Sequence, residues 1–124
     1  MKRRPGSVSS CPAEAAMNVF GGKWRVGIIH HLRESPLRFN ALRERMPGIT
    51  QKMLTQQLRH LQRYGVLERK QLERIPPHVE YSLTPLGKKL LPLLAEITKW
   101  ASKNMPALDA AALRYDAANR DKSD

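Results

Sequence analysis

The sequence predicts a mainly α fold with a small β-hairpin, an α+β domain, on the strength of three observations. Apolar residues recur at helical spacing through most of the 124 residues. Two short segments of strand-forming residues flank a loop containing Pro76-Pro77. A tight Pro47-Gly48 turn joins two of the helical segments ahead of that hairpin. Apolar residues make up 41% of the chain, enough for one core but not two.

The elements follow in order. Residues 1–10 are basic, contain Pro, Gly and Ser, and read as a disordered arm. Cys11 stands where an N-cap belongs and Pro12 at the first helical position, so a first helix runs to Phe20 and stops at Gly21-Gly22. A second helix is expected from Lys23 to Glu34, with Trp24, Ile28, Ile29 and Leu32 on one face; Ser35-Pro36 breaks it. Leu37-Arg38 is short and extended. The third helix, Phe39 to Arg45, turns Phe39, Leu42 and Met46 inward. The fourth runs from Gln51 to Tyr64, with Thr50 as N-cap, Ile49 and Leu54 placed for a hydrophobic staple, and Gly65 as its stop. Val66–Leu72 and His78–Leu83 read as strands, the latter with Val79, Tyr81 and Leu83 alternating inward. Thr84 caps a last helix that Pro85 begins, reaching about Lys103, with Pro92 expected to bend it unless it lies near a helix break. The domain thus covers 11–105, and 106–124 is an Ala-rich tail that extends the helix or frays. Two helices joined by a tight turn and followed by a hairpin form the winged helix-turn-helix plan.

Charge narrows the function. Lys and Arg total 22 against 11 acids, a formal net charge of +11. Residues 11–105 alone carry 16 basic and 7 acidic side chains, none of the acids an Asp. Such a field suits a polyanion, with double-stranded DNA the commonest, although a basic surface also serves solubility. No apolar run nears the ~20 residues that span a bilayer, and no signal-peptide core is visible, so no membrane partner and a cytoplasmic location are expected. A single cysteine rules out an intramolecular disulfide and a cysteine-rich zinc site. His30, His31, His60 and His78 lack metal-ligand spacing. There is no carboxylate dyad, phosphate loop or Ser-His-Asp order. Neither metal, cofactor nor enzymatic activity is expected.

Projected at 100° per residue, the fourth helix puts Met53, Leu54, Leu58 and Leu61 on one arc. Opposite lie Lys52, Thr55, Gln56, Arg59 and Arg63, a face with positive charge and no acid, unlike the mixed charge of an ordinary solvated face. Gln and Arg make bidentate contacts to adenine and guanine edges, and Arg63 and Lys52 equally serve phosphates. Gln51, Lys52, Thr55 and Gln56, near the helix start, are expected closest to the bases. The loop Glu73–His78 is the expected wing: Arg74 at its tip for the minor groove or a phosphate, Pro76 and Pro77 to stiffen it, and His78 at its end. Arg38 and Thr50 complete the expected DNA-contact set. The stripe Leu86, Leu90, Leu93, Leu94, Ile97, Trp100 and Ala101, with Met105, exceeds what one small domain buries, and a second copy of the chain would cover it. Trp24 is expected in the core, and Trp100 in the core or that seam.

At these residues the chain resembles the HxlR-type family of bacterial winged helix-turn-helix transcription regulators. The resemblance rests on Cys11-Pro12, Gly21–Trp24 (GGKW), Leu37–Arg69 (LRFNALRERMPGITQKMLTQQLRHLQRYGVLER) and Pro76–Gly87 (PPHVEYSLTPLG). It implies N- and C-terminal dimerisation helices, a homodimer on a palindromic operator, and repression. The expected dimer interface is Met17, Leu90, Leu93, Leu94, Ile97, Trp100 and Ala101. Several family members sense electrophiles or oxidants through a cysteine near the N-terminus, and Cys11 stands at the matching position. A thiol at a helix N-terminus is drawn toward its thiolate, so Cys11 is either a redox-sensing residue or an inert, half-buried one. Three rivals stand beside this reading: a winged-helix module for protein contacts, a nonspecific DNA-coating protein, and, weakest, an enzyme.

Overall fold

A computed structural model of the chain describes residues 11–120. The expected arm at 1–10 and the last four residues of the tail lie outside the described residues. The elements are α1 (Pro12–Phe20), α2 (Arg25–His31), β1 (Leu37–Arg38), α3 (Phe39–Glu44), α4 (Gln51–Arg63), β2 (Leu67–Leu72), β3 (His78–Leu83), α5 (Pro85–Lys88) and α6 (Leu90–Ala118). This is the expected mainly helical, winged helix-turn-helix order, with three differences.

The second helix is shorter than expected. Trp24 offers no side-chain cap, and the helix closes at Leu32, whose N–H is shared between the Ile28 and Ile29 carbonyls. The chain then leaves helical geometry ahead of Ser35-Pro36, as a residue before proline prefers.

The hairpin is part of a larger sheet. All pairings are antiparallel and the strand order is β1-β3-β2. Leu37 stands opposite Tyr81 and Arg38 opposite Glu80. The long pairing runs from Leu67 opposite Leu83 to Leu72 opposite His78. Tyr81 and Leu83 are buried as expected; Val79 is only half-buried.

The last helix breaks at Lys89. Thr84 caps α5 by accepting the Gly87 N–H at 3.0 Å. Pro92 therefore falls in the first turn of α6, where its missing N–H costs no hydrogen bond. Beyond Lys103, α6 continues through Pro106 to Ala118, so of the two fates expected for the tail it takes the helical one. The alanines beyond Pro106 are the strongest helix formers available.

The chain divides into two compact units, Met1–Leu91 and Pro92–Asp124. The core of the first unit is built on Ile28, Ile29, Leu42, Leu54, Leu58, Leu61 and Val66, each below 2% exposure. Each such side chain contributes roughly 1.5–3 kcal/mol by leaving water. Trp24 is half-buried, with the Lys23 ammonium 4.8 Å from its ring centroid. Polar contacts fix how α1 and α2 meet α4. Arg25 donates to Gln57 Oε1 (2.8 Å) and to the carbonyls of Asn18 and Gly21. His60 Nε2 lies 2.7 Å from the Asn18 carbonyl and 3.2 Å from that of Val19; since both oxygens only accept, this nitrogen carries the proton. In the second unit, α6 buries Leu94 and exposes Leu93, Ile97, Trp100, Met105, Leu108, Leu113 and Tyr115. Trp100 is thus not a core residue of this chain.

Candidate nucleic-acid interface

Local signals fix α4 at both ends. Thr50 Oγ1 accepts the Met53 N–H at 3.0 Å. Ile49 and Leu54, the expected staple, are both buried. At the far end Gly65 adopts φ +75°, its N–H bonds the Gln62 carbonyl, and the Val66 N–H bonds that of Leu61. That paired pattern is a Schellman stop, which needs a residue free to take a left-handed backbone.

With Leu54, Leu58 and Leu61 turned into the core, the opposite face is set by geometry. Gln51, Lys52, Gln56, Arg59 and Arg63 are exposed and Thr55 is half-buried. Gln51, Lys52, Thr55, Gln56 and Arg59 line one open groove. Arg63 sits beyond it, its guanidinium 5.5 Å from the Tyr64 ring centroid. The first turn contains no acid. Among the described residues, the ion pairs within 4 Å join Arg33 to Glu34, His78 to Glu80 and Lys99 to Glu96. Lys52, Arg59 and Arg63 therefore keep their charge unneutralised, and Lys52 lies in the first turn, at a helix N-terminus that itself favours anions.

Glu73–Pro77 forms the loop between the paired residues Leu72 and His78. Arg74 is exposed and its N–H bonds the Leu72 carbonyl at 3.0 Å. Pro76 and Pro77 are exposed beside a fully exposed Ile75. His78, expected both to close the wing and to open the second strand, is the first residue of β3. Its side chain is 14% exposed, with Nε2 3.6 Å from Glu80 and Nδ1 buried without a hydrogen-bond partner. Strand alternation turns it toward Glu80, two residues along the same face. Arg38 is exposed at the junction of β1 and α3.

Sequence reasoning passed over Arg69 and Lys70. Both are exposed on β2, where Glu68 to Gln71 are all exposed. The absence of apolar alternation over those four residues was the available signal. It also passed over Ile75, whose exposure nothing in the local pattern announces.

Cys11 caps α1 through its backbone, its carbonyl accepting the Ala15 N–H at 2.8 Å. It is exposed in the single chain where the inert alternative had it half-buried. Of the expected dimer residues, Met17, Leu93, Ile97 and Trp100 are exposed and Leu90 and Ala101 partly so, while Leu94 is buried within the single chain. Among the described residues no three His, Cys, Asp or Glu side chains gather as metal ligands. Nor, among the described residues, is any helix long and apolar enough to cross a membrane.

A model of the HxlR-like helix-turn-helix family matches residues 19–109. The chain is 42% identical over 99 residues to the uncharacterized HTH-type transcriptional regulator YdeP of Bacillus subtilis, covering 80% of this chain and 77% of that one. Among solved structures, the redox regulator HypR in its reduced form superposes with a TM-score of 0.75 at 39% identity, covering 81% of this chain and 99% of HypR. The reduced form of the transcriptional regulator YodB from B. subtilis superposes at 0.71 and 36% identity, covering 77% and 94%.

Proposed function

The chain belongs to the HxlR-like helix-turn-helix family, and from that premise we propose that it is a homodimeric repressor that reads a palindromic operator through α4. Family membership makes it a helix-turn-helix transcriptional regulator, a non-enzymatic class. The single observation that carries the finer reading is the outer face of α4: exposed, acid-free and unneutralised. Gln51, Lys52, Thr55 and Gln56 read base edges, Arg59 and Arg63 hold phosphates, and the Arg74 loop is the wing, with Arg38 flanking. The exposed apolar residues of α6, with Met17 of α1, form the dimer seam. Two-fold symmetry then sets the reading helices about one turn of duplex, ~34 Å, apart. Acting on the genome, the dimer works in the cytoplasm.

The test is a fluorescence-anisotropy titration of the reduced protein against the duplex upstream of its own gene, with a scrambled duplex as control, at two salt concentrations. Tight binding to the upstream duplex alone is expected. Equal binding to both overturns the operator reading in favour of a coating role, and binding to neither favours a protein-contact module.

A second reading concerns Cys11. Its exposure at the N-terminus of α1, and the likeness to a regulator described as a redox regulator, support a sensing role. With one cysteine per chain, oxidation joins the Cys11 thiols of two chains and passes two electrons and two protons to the oxidant; a quinone instead adds the thiol. Cys11→Ser is expected to keep operator binding and lose any response to diamide. A variant that still responds moves the sensor elsewhere.

A further inference from the structure

We propose that the first unit holds a binding site for a small apolar monoanion, and that its occupancy biases the posture of α4 and the wing. A half-open cavity of about 190 Å³ lies among Ala16, Val19 and Phe20 of α1, Tyr64 at the C-cap of α4, Val66 ahead of β2, Leu86 and Lys89 around α5, and Leu90, which begins α6 and also stands in the expected dimer interface. Nearly all its surface is apolar, with two aromatic rings in its wall and one cation at its edge. No acid lines it. Among the described residues no carboxylate pairs with Lys89. A carboxylate on an aromatic or comparably flat body matches this arrangement: burial for the body, and a charge-assisted contact for the head.

The walls resist closure. On one side, His60 and Arg25 hold the α1 carbonyls of Asn18 and Val19 against α4 and α2. On the other, Thr84 N–H bonds the Val66 carbonyl at 3.0 Å, and Gly87 sits so close that a Cβ there would come within 2.1 Å of that same oxygen. The two sides are thus pinned independently, and the space between them is a feature of the frame. Leu86, at its mouth, is 54% exposed. The site touches Tyr64, the C-cap of α4, and Val66, the residue just ahead of β2, so a ligand there bears on the segment that joins the two DNA-contacting elements. This coupling rests on the DNA-contact reading above; ligand binding itself does not.

The test is calorimetric titration of the full chain with 2-naphthoate, without DNA. One site per chain is expected. Lys89→Gln is expected to weaken binding about tenfold, and 2-naphthamide to bind the wild type as weakly as 2-naphthoate binds that variant. Ala16→Phe, which fills the cavity, is expected to abolish binding, its fold checked by thermal unfolding. Lys89→Gln supplies the answer should that variant not fold. Absence of binding overturns the proposal, as does binding indifferent to Lys89→Gln or to a folded Ala16→Phe. Binding that appears only in a monomeric variant also overturns it, because a second copy then fills the space. Anisotropy with operator DNA, with and without 2-naphthoate, is expected to shift the midpoint; binding without a shift overturns the regulatory half.

Discussion

Helices α4 and α6 are built from the same ingredients and use them in opposite ways. In α4 the apolar face is spent within the chain: Leu54, Leu58 and Leu61 are at most 1% exposed. Its polar face carries only positive charge and meets no acid. In α6 the apolar residues stay outside, with Trp100 at 59% exposure and Leu113 at 71%. Its polar positions mix signs, and Lys99 pairs with Glu96 at 3.6 Å, a surface contact worth little. A helix whose charge is unspent awaits a charged partner. A helix whose oil is unspent awaits an apolar one. The contrast teaches that a partner is advertised by whichever face the fold leaves unsatisfied.

The largest expected effect strikes α6. Ile97→Glu puts a charge in the proposed dimer seam; sedimentation should show a monomer, and operator affinity should fall by about 100- to 10,000-fold as the two half-sites lose their linkage. A dimer that survives breaks the comparison outright. Next comes α4 from its inner side. Leu58→Ala should cost about 2–5 kcal/mol in denaturant unfolding, because the cavity it leaves is fully enclosed. The outer side of α4 should respond differently: Gln56→Ala should leave stability unchanged and cost about 1–3 kcal/mol of discrimination between operator and scrambled duplex. Thr50→Ala removes the cap on the Met53 N–H and should lower stability by about 1 kcal/mol.

The smallest effect lies in α2. Burial holds the His31 imidazole below its ordinary pKa of 6.5, with the nearby charges of His30, Arg45 and Arg33 pushing the same way and a backbone hydrogen bond at Arg45 opposing. The unfolded chain therefore takes up this proton first. The resulting stability is complete above about pH 6.5 and is lost as pH falls from there through the folded value. Between pH 7.5 and 5.5 the unfolding midpoint of the wild type should fall relative to that of His31→Gln.

The legibility of the two helices differed for a physical reason. Everything that defines α4 is local: the Thr50 cap, the Ile49–Leu54 staple, the acid-free face and the Gly65 stop lie within 17 residues of sequence. Its start was therefore readable to the residue and its end to within one. The far reach of α6 was readable only as one of two alternatives, because a proline ordinarily ends a helix and only the alanines after Pro106 carry it on. The β1–β3 pairing was hidden: a two-residue strand has no periodicity, and its partner lies far along the chain. The start of β3 at His78 was readable, but the burial of its side chain was not, because burial at a strand's first residue depends on the sheet around it. Candidate contacts on α4 were readable from type and spacing. Those on β2 were not, since Arg69 and Lys70 gain meaning only once the strand is an edge.

That edge has a consequence of its own. With the order β1-β3-β2, one side of β2 presents unpaired backbone groups to its surroundings. An operator gathers several copies of a regulator within a few nanometres, where an open strand invites another to zip against it. Four successive exposed residues, Glu68-Arg69-Lys70-Gln71, crowd that strand with bulky charge of both signs. Like charges brought face to face across a second β2, and the water they hold, make such zipping costly. The strand can thus serve as the stem of the wing while keeping crowded neighbours from fusing into fibres.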